Sequence, residues 1–260
     1  MVYTSSTPER RVALVTGAGD RIGSSIARHL AGDGWAVVVH YRNSRDKAEA
    51  LAADIREAGG EAAIVRADLL DRTQRAGLIE AAAEAFGPLT LLVNNASIFE
   101  RDAADDLDEA LWDEHFTLHA EAPAFLSRDF AAQLPADTQG NIVNIIDERV
   151  LDLSPAFFSY TLSKSVLWTM TRTLAQSFAP HIRVNAIAPG PTLPPAYVDA
   201  RAYAQRITEL PLGYSADPEG IAAGVAAILS LPAMTGQMIT LDGGEHLEWP
   251  ARRNPTPRRR

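Results

Sequence analysis

The 260-residue sequence contains no cysteine and only two lysines, Lys47 and Lys164. The first absence excludes a disulfide scaffold and a thiol nucleophile. The second leaves arginine to carry nearly all the positive charge, and five of the 22 arginines crowd into the last nine residues. With a formal net charge of −9, the remainder stands at −14 and lacks the basic face that binding to a nucleic-acid backbone requires. No apolar run approaches the roughly 20 residues needed to span a bilayer, and the opening MVYTSSTPERR has no hydrophobic signal segment. The expectation is a cytoplasmic protein with no nucleic-acid or membrane partner. Hydrophobic residues at 47% and charged residues at 22% are ordinary for a folded domain. Only the Arg/Pro-rich 251–260 reads as a flexible, solvated tail.

Short β-rich runs at 12–16, 36–41, 63–66, 89–94, 141–146, 184–188 and 238–241 alternate with Ala-rich helical stretches. These stretches fall at 22–31, 45–58, 72–86, a long region through 129, 159–178 and 218–230. Strands apolar on both faces and separated by helices predict a doubly wound α/β domain, with a mostly parallel seven-stranded sheet covered by helices on both faces. No linker and no repeat divides the chain, so residues 1–250 form one domain in this reading. Five prolines between 189 and 214 forbid one continuous helix there, although 197–210 can form a shorter one. A segment leaving the carboxyl end of a strand borders the ligand crevice of such a sheet, which makes 189–214 a candidate substrate lid.

The first strand runs into TGAGDRIG, with Gly17, Gly19 and Gly23 before a helix that starts near Arg21. Glycines let the backbone approach a pyrophosphate, and free N–H groups at a helix start favour an anion. The second strand ends in HYRNS, where a binder of unphosphorylated NAD would often place a carboxylate for the ribose hydroxyls. Arg42, with Ser44 and Arg21, offers directed donors to the 2′-phosphate of NADP instead, although Arg42 also fits a merely solvated strand end. Tyr160 and Lys164 are four residues apart on a helical stretch, so they share a face. A phenol beside an ammonium ionises more readily and suits acid/base work, yet the same spacing decorates many exposed helices. Asp147 and Glu148 follow the fifth strand, where a carboxylate either handles a proton for a basic ring nitrogen or caps the next segment. His115 and His119 have zinc-like spacing, but no glutamate follows His115 as the zinc motif requires and no third ligand is evident, so no metal is expected.

TGAGDRIG, Asp68 after the third strand, the NNAS run at 94–97, the Tyr160/Lys164 pair, RVNAIAPGP and GQMITLDGG together resemble the short-chain dehydrogenase/reductase family across nearly the whole chain. The resemblance implies a Rossmann-like sheet, commonly a tetramer built through the helices that carry His119 and Tyr160, and a nicotinamide cofactor. Two departures narrow it: Asp147 stands in place of the usual serine, and Arg21 in place of a frequent glycine. Both resemble the pteridine reductase and dihydromonapterin/dihydrofolate reductase branch, as do Phe99 in NNASIF and the HYRNS stretch. That branch implies NADPH as hydride source for a C=N bond of a dihydropterin or dihydrofolate. Tyr160, Lys164, Asp147 and His119 then form the catalytic set, with His119 standing where the wider family has an asparagine. Gly17, Gly19, Arg21, Ile22, Gly23, His40, Tyr41, Arg42, Asn43, Ser44, Asp68, Leu69, Asn95, Ala96, Ser97, Tyr160, Lys164, Pro189, Gly190 and Thr192 take the cofactor in this reading. Arg21, Ser97, Phe99, Asp147 and Tyr160 take the substrate. The alternatives are an NADP-dependent reductase of 3-oxoacyl, sugar or steroid ketones, and a non-catalytic nucleotide sensor.

Overall fold

The structure, a computed structural model, describes residues 10–194 and 199–247. The predicted tail at 251–260 and four residues of the predicted lid, 195–198, lie outside the described residues. Strands β1 (Val12–Val15), β2 (Ala36–Tyr41), β3 (Glu61–Arg66), β4 (Leu91–Asn94), β5 (Gly140–Ile145), β6 (Ile182–Pro189) and β7 (Met238–Leu241) form one sheet. Their order is β3-β2-β1-β4-β5-β6-β7, and every pairing is parallel.

The alternation of side chains in β1 shows why helices cover both faces. Ala13 and Val15 point into one core with Ile26, Leu30, Leu51, Ile55, Val225 and Ile228, from helices α1 (Arg21–Gly32), α2 (Arg45–Glu57) and α9 (Pro218–Ser230). Val12 and Leu14 point into the other, with Leu78, Ile79, Leu126 and Phe130 from α4 (Leu78–Phe86) and α6 (Ala122–Gln133). Each such fully buried aliphatic side chain contributes about 1.5–3 kcal/mol, which sets the sheet register firmly. Because the chain winds one way from β1 to β3 and the other from β4 to β7, the carboxyl ends of β1 and β4 flank a topological switch, where such sheets bind ligands.

The helical stretch expected over 72–86 breaks at Gly77 into α3 (Arg72–Ala76) and α4, since glycine is a poor helix former. The long region expected through 129 divides likewise. Its helix α5 (Glu109–Phe116) begins at the cap Asp108, passes through a π-helical turn (Thr117–Glu121), and continues as α6. The long α7 (Phe158–Phe178) and the shorter α8 (Ala200–Glu209) fall close to their expected positions. Among the described residues, no helix is long and apolar enough to cross a membrane.

Candidate active site

The turn after β1 is closed by its own Thr16 and by side chains from two neighbouring segments. Thr16 Oγ1 accepts the backbone N–H groups of Asn95 and Ala96 at 2.9 and 3.0 Å, and Asn95 Nδ2 donates to the Thr16 carbonyl at 2.8 Å. Gly17 N–H donates to His40 Nδ1 at 3.0 Å, so His40 carries its proton on Nε2 and donates it to the Ala67 carbonyl at 3.1 Å. Burial pushes the His40 imidazolium down to about 4, which keeps this clamp neutral. Gly17 adopts φ +62°, and a Cβ there would lie 2.9 Å from Ala96 Cα. At Gly23 a Cβ would meet Asn95 Nδ2 and the Gly17 carbonyl at 2.6 Å, so both positions admit only glycine without rearrangement.

The cleft beside this turn measures about 420 Å3 and is lined by Gly17, Gly19, Asp20, Arg21, Ile22, Gly23, the stretch His40 to Ser44, Asp68, Leu69, Asn95, Ala96 and Ser97, among others. It brings together the expected cofactor residues of four separate segments of sequence, while Tyr160 and Lys164 do not line it. Arg42 is exposed at its edge and, among the described residues, its guanidinium pairs with no acid, whereas neighbouring Arg45 is paired with Glu49 at 2.7 Å. Asp20, which carries no signal of its own in the sequence, caps α1 through the Arg21 N–H and pairs with Lys47; the Lys47 hydrogen bond holds its carboxyl below the ordinary range. Pro189, Gly190 and Thr192 do not line this cleft. Thr192 donates to the Gly190 carbonyl at 3.1 Å, and Gly190 abuts Asp242.

A second group of residues meets beyond Ser97. The Tyr160 hydroxyl donates to Asp147 Oδ2 at 2.8 Å. Burial, then the charge and hydrogen bond of Asp147, push the Tyr160 phenol well above its ordinary 10. This corrects the expectation that Lys164 would draw Tyr160 toward phenolate. Lys164 is buried and donates to the Ile145 carbonyl at 3.0 Å, and its Nζ lies 5.7 Å from the Tyr160 ring centre. Desolvation brings the lysine down to about 8, with the charge of Asp147 opposing that fall.

His119, on the π-helical turn, accepts the Ile98 N–H on Nε2 at 3.2 Å, with Ser97 Oγ 3.0 Å from the same nitrogen. Its Nδ1–H donates to Ser163 Oγ at 2.9 Å, and Ser163 donates to the Tyr160 carbonyl at 2.7 Å. Burial, with Lys164 nearby, holds His119 well below its ordinary 6.5, so it is a neutral bridge between the Ser97 loop and α7. His115 stacks on His119 at 5.5 Å and bonds Ser159 at 2.7 Å. Among the described residues no group of three or more His, Asp or Glu side chains could hold a metal ion.

Several residues of this group gave no sequence signal. Phe157 adopts φ +61° just before α7, and the buried Asp102 accepts the Ser159 N–H on both carboxylate oxygens at 3.2 and 3.1 Å. This fixes the helix start and hence the place of Tyr160. Phe99 stacks on Phe157 at 4.4 Å and meets Tyr160 edge-on at 4.9 Å. Asp147 accepts from Tyr160 and also caps the short turn Glu148–Val150 through the Arg149 N–H, so the capping role is present beside the contact with the phenol. Glu148 is buried, and desolvation together with Asp147 pushes its carboxyl up to about 8.

A family model described as short chain dehydrogenase matches residues 11–204. Crystal structures of FolM alternative dihydrofolate reductase 1, each with NADP, are similar to this chain at 46% identity. The Brucella suis protein superposes with TM-score 0.90 over 97% of this chain and 99% of its own. The Brucella canis protein does so with TM-score 0.87 over 95% and 96%. An uncharacterized oxidoreductase of Methylorubrum extorquens is 36% identical over 244 residues, 91% of this chain and 98% of its own. With the sheet order, the glycine turn and the Tyr160/Lys164 helix all in place, the chain belongs to the short-chain dehydrogenase family.

Proposed function

We propose that the protein is an NADPH-dependent reductase acting on the C=N bond of a dihydropterin or dihydrofolate-type substrate. The observation that carries this reading is the 2.8 Å hydrogen bond from the Tyr160 hydroxyl to Asp147. A serine at that position would suit a carbonyl oxygen, whereas a carboxylate coupled to a phenol suits a basic nitrogen that must gain a proton. The NADP-bound dihydrofolate reductases at 46% identity support the same substrate class.

The glycine turn fits a nucleotide, because the space a Cβ would fill at Gly17 and Gly23 is already taken by backbone and by Asn95. Gly17, Gly19, Arg21, Ile22 and Gly23 would hold the pyrophosphate, and Arg42, Asn43 and Ser44 the 2′-phosphate, with His40 acting from behind as the clamp of the turn. Tyr41, Asp68 and Leu69 complete the nucleotide wall, and Asn95, Ala96 and Ser97 the floor toward the nicotinamide. Lys164 would bind the nicotinamide ribose, and Pro189, Gly190 and Thr192 would border the ring. When bound, NADPH supplies the hydride.

The chain's own task is the proton. Tyr160 keeps its phenolic hydrogen at neutral pH and shares it with Asp147, so one transferable proton is held in place; in this reading Phe99, Ser97 and Arg21 would form the substrate wall. His119 ties the Ser97 loop to α7 and keeps wall and donor in register. In this reading residues 1–250 act as one domain in the cytoplasm, with 189–214 as its lid. In the same reading four chains assemble partly through the helical run that carries His119 and continues as α6, and through α7; α6 and α7 expose Phe125, Leu162 and Val166.

NADPH oxidation measured with dihydrobiopterin, dihydromonapterin, dihydrofolate and a panel of ketones tests the assignment. Turnover of at least one pterin or folate well above the ketones is the expected result. Activity confined to ketones would overturn the substrate class, and cofactor binding without any turnover would favour a sensor.

A further inference from the structure

We propose that Arg149 is the positioning residue of the proton-donating pair, pinning one oxygen of Asp147 so that the other is presented to Tyr160. Asp147 Oδ1 receives the Arg149 backbone N–H at 3.0 Å and its Nη1 at 3.2 Å, while Oδ2 receives the Tyr160 hydroxyl at 2.8 Å. A carboxylate with different partners on its two oxygens cannot turn without losing both sets of bonds. The guanidinium is itself fixed. Glu148 Oε1 accepts from Nη1 at 3.3 Å, and the guanidinium carbon lies 5.3 Å from the centre of the Phe99 ring and 5.2 Å from that of Phe157. With its side chain only 17% exposed, Arg149 is shielded from competing water. One cation thus joins the proton donor to the aromatic wall in a single rigid unit. The inference rests on the reductase reading for the role of Tyr160 and adds a residue that the reading does not use.

A residue that merely balances charge would be replaceable by any cation, and a packing residue by any side chain of similar volume. The groups facing the site are Asp147, Glu148 and Asp152 from the segment of Arg149 itself, Glu245 from the turn after β7, Tyr160 and Lys164 from α7, and His115 and His119, whose rings meet Tyr160 edge-on from α5 and the π-helical turn. Removing the guanidinium leaves the carboxylates of this cluster without their nearest cation, so the cluster takes up protons at higher pH.

Three variants separate the roles. Arg149→Met keeps the length and the ring contact but loses charge and donors; Arg149→Lys keeps the charge without the planar fork; Phe157→Leu loosens the rings without touching Asp147. With NADPH and dihydrobiopterin or dihydrofolate, R149M is expected to lower kcat about tenfold while the KM for NADPH stays within about twofold. R149K should recover part of that loss. The acid limb of kcat/KM should move up by about half a pH unit in R149M and stay in place in F157L.

A readout independent of turnover is the Cζ resonance of Tyr160 in protein labelled with [ζ-13C]tyrosine, assigned with Tyr160→Phe. It should shift clearly further in R149M than in F157L, which reaches Tyr160 only through Phe99 and the guanidinium. If the wild type reduces only ketones, the substrate reading falls and the same series on the active ketone still decides Arg149; if it reduces nothing, the resonance decides. A wild-type kcat, pH profile and Tyr160 resonance in R149M would overturn the proposal. Equal losses in R149M and F157L with an unmoved profile would do the same, since they would mark a packing role.

Discussion

On the β1–β2–β3 side of the site, the cleft is bounded largely by backbone. The N–H of Gly17 is committed to a buried neutral histidine, two glycines leave no room for side chains, and the charged groups, Arg21, Arg42 and Lys47, lie out in solvent. On the β5–α7 side the charged groups are inside. Asp147, Glu148, Arg149, Tyr160 and Lys164 crowd behind one aromatic pair, and burial displaces Tyr160 and Glu148 upward and Lys164 downward. Under the proposed function, the contrast matches what each side would have to do. A phosphate is recognised by geometry and by mobile surface cations, which need no perturbation. Moving a proton requires acids whose affinity has been tuned, and desolvation is the strongest means of tuning.

That division can be broken from either side. The largest effect is expected for Tyr160→Phe, which should cut kcat by about 10²–10⁴ while the fluorescence-measured Kd for NADPH changes less than twofold. Comparable damage to both constants would mean that the halves are not separate. Next, Arg42→Ala should raise the KM for NADPH by about 10–100-fold and leave that for NADH unchanged, since only the extra phosphate loses its charged partner. A uniform loss for both cofactors would remove Arg42 from the phosphate site.

The smallest and most diagnostic effect concerns stability against pH. Glu148 has a folded value of about 8, above its ordinary 4.5, so its protonated form favours the native state and its contribution fades as pH rises through that window. His40 has a folded value of about 4, below its ordinary 6.5, so its contribution is present at neutral pH and fades as pH falls from 6.5 toward 4. Urea unfolding at pH 4.5, 6 and 8 should therefore show opposite trends. Relative to Glu148→Gln the wild type weakens toward pH 8, and relative to His40→Gln it weakens toward pH 4.5, each by on the order of 1–3 kcal/mol. Parallel trends would undo the contrast between the two sides.

The sheet was legible because strands buried on both faces leave continuous apolar runs, and the glycine turn because its steric demand falls on consecutive residues. Tyr160 and Lys164 were legible as a pair for the same reason: helical spacing is local. What sequence could not deliver was the ionisation state of the pair, because that depends on a carboxylate thirteen residues away and on burial, neither of which has a local signature. Asp102 reaches the start of α7 across 57 residues of chain, and Arg149 finds Phe99 from a different strand end, so their contacts exist only once the sheet has assembled. Only the resemblance set Asp147 apart from the adjacent Glu148; the fold separates the two physically, giving Asp147 a hydroxyl partner and enclosing Glu148.

The π-helical turn at Thr117–Glu121 has a consequence for how this protein can change over time. A wide turn of this kind holds one residue more than an α-helical turn, and deleting any single residue from it would restore a regular helix. Each residue removed rotates the remainder of the helix by about 100°. His119 would then swing away from Ser97 and Ser163, or α6 would swing off the sheet with Leu126 and Phe130, whatever side chains remained. At this place the molecule is sensitive to the number of residues more than to their kind: point substitutions on the outer face should be absorbed, while length variation, usually the gentlest change for a helix surface, would dismantle the bridge between two walls of the site.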